Sequence, residues 1–291
     1  MKAGTFLKRQ HHPPFFLHLH DRDLALGQRT LIMGILNITP DSFSDGGRFF
    51  DPSKAIKQAV RMAEEGADII DVGGESTRPG AESVTLEEEL RRIVPLVKEL
   101  VKEVPIPLSI DSYKSEVAEQ ALNAGAHIIN DISGLRFDNA MAGLAARYKA
   151  PVVIMHIKGT PKDMQQNPVY EDLISEVKYY LEEGVRLAQV AGLKRDQVIV
   201  DVGIGFGKTV SHNLELINRL DEFHSIGCPM LIGPSRKSFI GSILNLPVSE
   251  RLEGTIAAVT MAISRGVHIV RVHDCWPIKR AVQIADAIMC A

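Results

Sequence analysis

IIDVGGESTR, Ile69 to Arg78, begins as an apolar run and ends within a few residues in acids, hydroxyls and a guanidinium. The same beat recurs seven more times. GILN ends at Asn37, LSID at Asp111, IIND at Asp131, VVIMH at His156, VIVD at Asp201, MLIGPSRK at Lys237 and IVRVHD at Asp274. A helix-like stretch follows each one. Strand-like runs alternating with helical patterns imply βαβ units and a parallel sheet. Eight units in 291 residues imply an α/β chain folded as a (β/α)8 TIM barrel. Parallel strands in a barrel present their carboxyl ends to one face, so side chains far apart in sequence converge there.

The rest of the chain is compatible with that reading. Hydrophobic residues make up 45% and charged residues 24%, as in globular proteins. A formal net charge of −3 gives no general attraction to nucleic acid or anionic membrane, and neither is expected as a partner. Cys228, Cys275 and Cys290 are scattered and form no CxxC pair, so they are expected as reduced thiols. No run is apolar enough to span a bilayer, and the N-terminus lacks the apolar centre of a signal peptide, so a cytoplasmic protein is expected.

Residues 1–14 read as a flexible tail, and residues 15–291 as a single barrel domain. His11, His12, His18 and His20 lie near this end without the cysteine or carboxylate spacing of a metal site. Phe15 to Thr30 reads as a short hairpin that closes the barrel bottom. The first strand spans Leu31 to Asn37. Asp51 is the expected N-cap of the first helix, with Pro52 at its first position. The second helix starts at Thr85, where Glu88 completes a capping-box pattern, and Pro95 is expected to kink it or end it. The helix from Tyr170 to Ala191 is expected to be the longest. The connections Thr39 to Phe50 and Gly73 to Val84 are long and aperiodic, and both fall on the carboxyl-end face, where binding loops and lids lie.

The strand-end groups fall into two sets. Arg78, Lys237 and Arg271, with His273 and Asn37, suit an anion such as a phosphate or pyrophosphate. Asp111, Asp201 and Asn130 suit a flat heterocycle rich in N–H donors, because a carboxylate accepts two parallel N–H bonds. Asp111 and Asp201 could instead cap the following helices. His156 is as readily a core histidine as a site group, and Arg236 is expected to point away from the pocket. GIGFGKT, Gly203 to Thr209, fails the phosphate-loop pattern because Val202 stands where a glycine is needed, and fails GxGxxG because of Lys208. It reads as a mobile glycine loop that lets backbone approach a flat ligand, with Phe206 as an aromatic wall.

Assembled in this order, the motifs resemble the dihydropteroate synthases. The matching stretches are MGILNITPDSFSDGG (Met33 to Gly47), DVGGESTRPG (Asp71 to Gly80), SIDSYK (Ser109 to Lys114), NDISG (Asn130 to Gly134), MHIKGTPKDMQ (Met155 to Gln165), DVGIGFGKT (Asp201 to Thr209), GPSRKSFIG (Gly233 to Gly241) and RVHD (Arg271 to Asp274). The resemblance implies a magnesium-using, homodimeric (β/α)8 transferase of folate biosynthesis, the target of sulfonamides. Its reaction would join 6-hydroxymethyl-7,8-dihydropterin diphosphate to p-aminobenzoate, giving 7,8-dihydropteroate and pyrophosphate. It implies pterin binding by Asp111, Asn130, Asp201 and Lys237, and diphosphate binding by Asn37, Arg271 and His273, with Asn37 also on the metal. Lys237, Arg271 and His273 would serve the chemical step. p-Aminobenzoate would sit among Phe43, Thr77, Arg78, Pro79, Phe206 and Ser235, with Asp41 and Asp45 ordering the loop. Val202 and Ile204 depart from the residues common in the family.

Two other functions share part of this pattern. A corrinoid-type methyltransferase module would share the barrel and the pterin-holding acids, but has no need of STRPG together with SRK and RVH. A non-catalytic pterin-binding paralogue would be free to lose some of the polar set.

Overall fold

The computed structural model describes residues 15–38 and 52–291. The tail expected over 1–14, the connection carrying Asp41, Phe43 and Asp45, and the expected N-cap Asp51 lie outside the described residues. The chain opens with strands β1 (Phe15–His18) and β2 (Asp23–Leu26), paired antiparallel with Phe15 opposite Leu26. Strands and helices then alternate: β3 (Leu31–Asn37), α1 (Pro52–Glu64), β4 (Ile69–Gly73), α2 (Leu86–Glu103), β5 (Leu108–Asp111), α3 (Ser115–Asn123), β6 (Ile128–Asp131), α4 (Met141–Tyr148), β7 (Val152–Met155), α5 (Leu173–Val190), β8 (Val198–Asp201), α6 (Val210–Asn218) and β9 (Met230–Ile232). Two helices, α7 (Ser238–Leu244) and α8 (Leu252–Ser264), precede β10 (Ile269–Val272), and α9 (Cys275–Met289) follows it. Strands β3 to β10 form a closed parallel barrel, and β10 returns to pair β3.

Period-two alternation divides each strand between two cores. On β4, Ile70 and Val72 pack outward among the helices, while Ile69 points inward. Leu31, Ile128, Ile199, Leu231 and Ile269 join Ile69 in an apolar floor, and Leu17, Leu19 and Leu26 of the hairpin close it from below. The floor excludes water from the lower barrel, so polar side chains one step further along the strands stand on a dry base. Two histidines finish strand starts. His127 donates its N–H to Leu108 O (2.8 Å) and its Nδ1 accepts the Leu108 N–H (3.2 Å). His268 does the same with Met230, at 2.9 and 3.1 Å.

The first barrel strand spans Leu31–Asn37, as expected. Pro95 neither ends α2 nor marks a boundary. It lies exposed, while Ile93, Leu96, Val97 and Leu100 keep the opposite face buried, so packing outweighs the lost backbone bond. Thr85 accepts the Glu88 N–H as expected (3.3 Å), but the Glu88 carboxylate turns to Arg91 and Arg92, leaving the reciprocal half of the box unmade. The helix expected over Tyr170 to Ala191 is α5, capped by Asp172 and starting at Leu173; α2 equals it at 18 residues. Tyr170 lies outside the helix, and its hydroxyl donates to Gly207 O (2.7 Å).

Leu17 is fully buried in the floor. Leu17→Ala is expected to cost about 2–5 kcal/mol, read as a lower denaturation midpoint with unchanged slope. A loss within experimental error would show that the hairpin does not hold the barrel closed.

Candidate active site

Polar side chains occupy the inward positions above the apolar floor. Asp71 comes from β4, Asp111 from β5, Asn130 from β6, Asp201 from β8 and Arg271 from β10. All but Arg271 are buried, and Asp71 is 0% exposed. Strand pairing sets Asp111 beside Asn130. Arg271 reaches across the barrel axis: its Nε donates to Asp71 Oδ2 and its Nη2 to Asp111 Oδ2, each at 2.6 Å. Asn130 Nδ2 donates to the same Asp71 oxygen at 2.9 Å. Neither acid caps a helix; α3 is preceded by Lys114, and α6 is capped by Thr209.

Sequence reasoning gave Arg271 to the anion set and Asp111 to the heterocycle set, but here they are ion-paired. It gave Asp71 no role, although the residue stands in a quoted motif. The usable signal was an acid inside an apolar strand at the parity of inward-facing Ile69.

The low dielectric and the neighbouring charges shift these groups. Burial pushes Asp111 up to about 7; Arg271 opposes this, and the Asp71 charge adds to it. Burial likewise raises Asp201 to about 6, against the hydrogen bond from Gly203 N–H (2.8 Å) and the charges of Lys237 and Arg271. Lys237 is lowered to about 8 by burial and then by Arg271, with Asp201 and Asp111 pulling the other way. Arg271 is raised: burial works against its charge, and Asp71 and Asp111 outweigh it.

On the other side of the mouth, Ser235 and His273 form a closed pair. The His273 N–H donates to Ser235 Oγ (3.2 Å), and the hydroxyl lies 2.9 Å from His273 Nδ1. The hydroxyl has a proton and a second lone pair to offer, so it can pair with Nδ1 in either tautomer of the ring. Burial, then Arg271 and Arg236, depress His273 to about 3, so it is neutral near pH 7. Arg236 turns to a bidentate pair with Asp274, at 2.8 and 2.5 Å.

The glycine loop after β8 accepts and donates several hydrogen bonds to its surroundings. Gly203 has φ +70°, and a side chain there would meet His156 O at 1.9 Å. Gly205 N–H donates to Asn213 Oδ1 (2.7 Å), and Gln165 Nε2 donates to Gly205 O (2.7 Å). Beneath the loop, buried Lys208 donates to Phe206 O (2.9 Å) and meets His156 Nδ1 at 2.8 Å. Burial holds Lys208 well below its ordinary range; His156 is lowered likewise, with Lys208 as the next cause. His156 is therefore a buried supporting residue. Phe206 faces Lys237, whose Nζ stands 4.0 Å from the ring centroid, a cation–π contact. Lys237 also runs along Gly205, where a Cβ would come within 3.1 Å of its stem.

The connection after β4 is anchored at its base. Lys114 Nζ bridges Glu75 and Glu89, Tyr113 donates to Glu75 (2.6 Å), and Arg92 donates to Gly74 O (3.0 Å). Beyond these ties Thr77 is half-buried, while Arg78 and Pro79 are exposed. Gly80 N–H donates to Pro161 O (3.1 Å), which brings this connection to the one after β7. The Arg78 charge contributes to lowering both Lys237 and His273. Asn37 is half-buried beside Gly73, and a Cβ on Gly73 would lie 3.6 Å from Asp111 Oδ2 and 3.7 Å from Asn37 Oδ1.

Two other features lack this chemistry. A cavity of about 400 Å³ bounded by Lys158, Asp163, Met164 and Pro168 holds none of the strand-end acids. His20, Asp21 and His127 converge at the barrel bottom. His127 Nδ1 accepts a backbone N–H, so the neutral ring must protonate Nε2, which faces Asp21 at 3.2 Å. That nitrogen has no lone pair for a metal.

Arg271→Met would leave two buried carboxylates facing each other. The expected loss is on the order of 3–5 kcal/mol. Arg271 restrains the rise of Asp111, so without it Asp111 would be held still higher, and the deficit should grow as pH rises from 4 to 8 and shrink at acid pH. Unfolding curves at pH 5 and pH 8 check this; a deficit independent of pH would refute the ion triad.

Residues 33–273 match the family model described as "Pterin binding enzyme". A dihydropteroate synthase of Synechocystis sp. is 50% identical over 263 residues, covering 90% of this chain and 91% of its own. The crystal structure of Xanthomonas albilineans dihydropteroate synthase with 4-aminobenzoic acid superposes with TM-score 0.90 at 40% identity, covering 96% of this chain and all of that one. The Clostridium difficile enzyme, crystallised in the presence of pteroic acid, gives 0.86 at 46% identity, covering 90% and 98%.

Proposed function

Because the chain belongs to the pterin-binding enzyme family, among its dihydropteroate synthases, we propose that it is a transferase that condenses 6-hydroxymethyl-7,8-dihydropterin diphosphate with p-aminobenzoate, releasing pyrophosphate. The observation that carries this reading is the buried acceptor set, Asp111, Asn130 and Asp201, beside the Lys237–Phe206 wall. An amino-pyrimidinone edge carries the N–H donors that such acceptors require. Relatives crystallised with 4-aminobenzoic acid, one of the two substrates, and in the presence of pteroic acid, the oxidised form of the product, support this reading.

The reaction follows from these groups. The C–O bond between the pterin methylene and the diphosphate breaks, and the electron-rich dihydropterin spreads the positive charge left on the methylene. Lys237 and His273 would meet the leaving anion as it gathers charge, and donors fixed there lower the barrier. The arylamine is neutral at pH 7 and needs placement more than activation. Phe206, Ser235 and the Thr77–Pro79 segment would hold its ring and carboxylate, with Phe43 closing over it. The amine nitrogen bonds the methylene and then loses one proton to solvent.

Magnesium fits the residues present. Asn37 offers a hard, neutral amide oxygen at the barrel mouth, and Mg²⁺ is commonly held by few protein oxygens together with substrate phosphates. When bound, the ion would neutralise diphosphate charge. A homodimer is supported by exposed Ile243 and Leu244 on α7, Val248, and Met261 on α8, which lie on adjoining elements. A cytoplasmic setting is supported by the buried free thiols of Cys228 and Cys275. No helix among the described residues is long and apolar enough to cross a membrane.

Pyrophosphate release should require both the pterin diphosphate and p-aminobenzoate. Release from the pterin diphosphate alone, at the same rate, would make the protein a hydrolase and end this reading.

The raised Asp201 predicts how pterin binding responds to pH. N–H donors of the ligand stabilise the ionised carboxylate, so its pKa is lower in the complex than the free value of about 6. The contribution of Asp201 to the affinity for 6-hydroxymethyl-7,8-dihydropterin should therefore be level above pH 7 and fall by up to about tenfold per unit below pH 6. Asp201→Asn should lose about 2–3 kcal/mol of binding at pH 8 and flatten that part of the profile. Calorimetry across pH 5 to 8 reads both, and an unchanged profile in the variant would remove Asp201 from the pterin edge.

A further inference from the structure

We propose that Asp71 is a positioning residue that decides which atoms of Asn130 and Arg271 face the pterin pocket, and so makes that edge a row of acceptors. The inference rests on the pterin reading above and concerns how that site reads its ligand.

The geometry leaves little choice. Asp71 is fully buried, and its Oδ2 receives two donors, Arg271 Nε at 2.6 Å and Asn130 Nδ2 at 2.9 Å. Its Oδ1 has no partner among the described residues, so Oδ2 carries both contacts. A carboxylate only accepts, whereas an amide has a donor end and an acceptor end. Turning Asn130 around would set its oxygen against a carboxylate oxygen in a buried place, so the NH₂ stays on Asp71 and Oδ1 is left for the pocket. The pocket groups around it are acceptors as well. Asp111 has one oxygen on Arg271, and Asp201 has one on the Gly203 N–H; each keeps acceptor capacity. The same carboxylate that orients Asn130 holds Arg271 across the barrel, so its guanidinium points at acids rather than into the mouth.

This predicts a specificity. A pterin offers a 2-amino donor; the lumazine counterpart carries a 2-oxo acceptor at the same place. Acceptors fixed by Asp71 should reject the oxo compound. In Asp71→Ala, Asn130 is free to turn its NH₂ outward and meet it. In Asp71→Asn, the new amide oxygen can take the Oδ2 position and accept both donors, so orientation survives while one charge is lost. The charges facing Asp111 are Arg271 on β10, Asp71 on β4, Glu89 on α2 and Lys237 after β9. Removing the Asp71 charge should move the Asp111 limb of the binding profile to lower pH, which a purely structural role would not do.

The test is the ratio of dissociation constants for 6-hydroxymethylpterin and 6-hydroxymethyllumazine, measured by calorimetry from pH 5 to 8. Wild type and Asp71→Asn should share a ratio within about threefold, and Asp71→Ala should reduce it by at least about tenfold. The Asp71→Asn profile should shift toward acid. An unchanged ratio in Asp71→Ala overturns the proposal. Neutron diffraction of the deuterated free protein reads the orientation without a variant. Deuterons on Asn130 pointing at Asp71 support it, and a deuteron on Asp71 facing the Asn130 oxygen overturns it. Wild type binding neither compound would sink the pterin reading and leave the neutron map to decide the amide.

Discussion

A guanidinium inside a barrel of parallel strands has to be matched by carboxylates, and Arg271 is matched by two. Its contacts to Asp71 and Asp111 join β10, β4 and β5 across the axis, where no backbone ladder connects β10 to either strand. The arrangement carries one more negative than positive charge. Burying such a set is unfavourable unless each member is held by geometry and hydrogen bonds. The apolar floor and the closing hairpin provide the dry base, and the strands provide the spacing. Burial is the main reason that Asp111 is raised, and the charge of Asp71 adds to it.

The same imbalance serves binding. Acids held above their ordinary range are poorly satisfied without a donor-rich partner, and a ligand that supplies N–H groups relieves them. Lys237 shows the complementary strain: burial lowers it while Asp201 and Asp111 restrain the fall. Around this preformed layer lie parts of a different kind. Thr77, Arg78 and Pro79 extend beyond the anchored base at Glu75 and Lys114. A rigid floor with longer connections above it is the usual division of labour in such barrels, where connections after the strands carry chemistry.

Buried supporting groups complete the site. Lys208 donates to the carbonyl of Phe206 from beneath and meets His156, and Gln165 and Asn213 fix Gly205 from two sides. The glycine loop thus owes its shape to residues on three other segments. Read in isolation it had the look of a mobile loop, since its glycines favour positive φ but say nothing about what ties them.

The sequence by itself determined the class of fold and most of the site. Eight apolar runs ending in polar residues reveal parallel strands, because period-two burial and a common exit face leave a local trace in each run. Motif resemblance added the chemistry of the ligand. Tertiary structure alone decided which groups face one another. Arg271 and Asp71 are separated by 200 positions, and nothing local says that the cation turns to acids or that Asn130 spends its amide on the same oxygen. Pro95 teaches the same lesson in a helix, where a local breaker was overridden by a buried face. Local pattern fixes where a side chain starts and which way it points; the partner it meets depends on barrel closure, shear and the low dielectric inside, which exist only once the chain has folded.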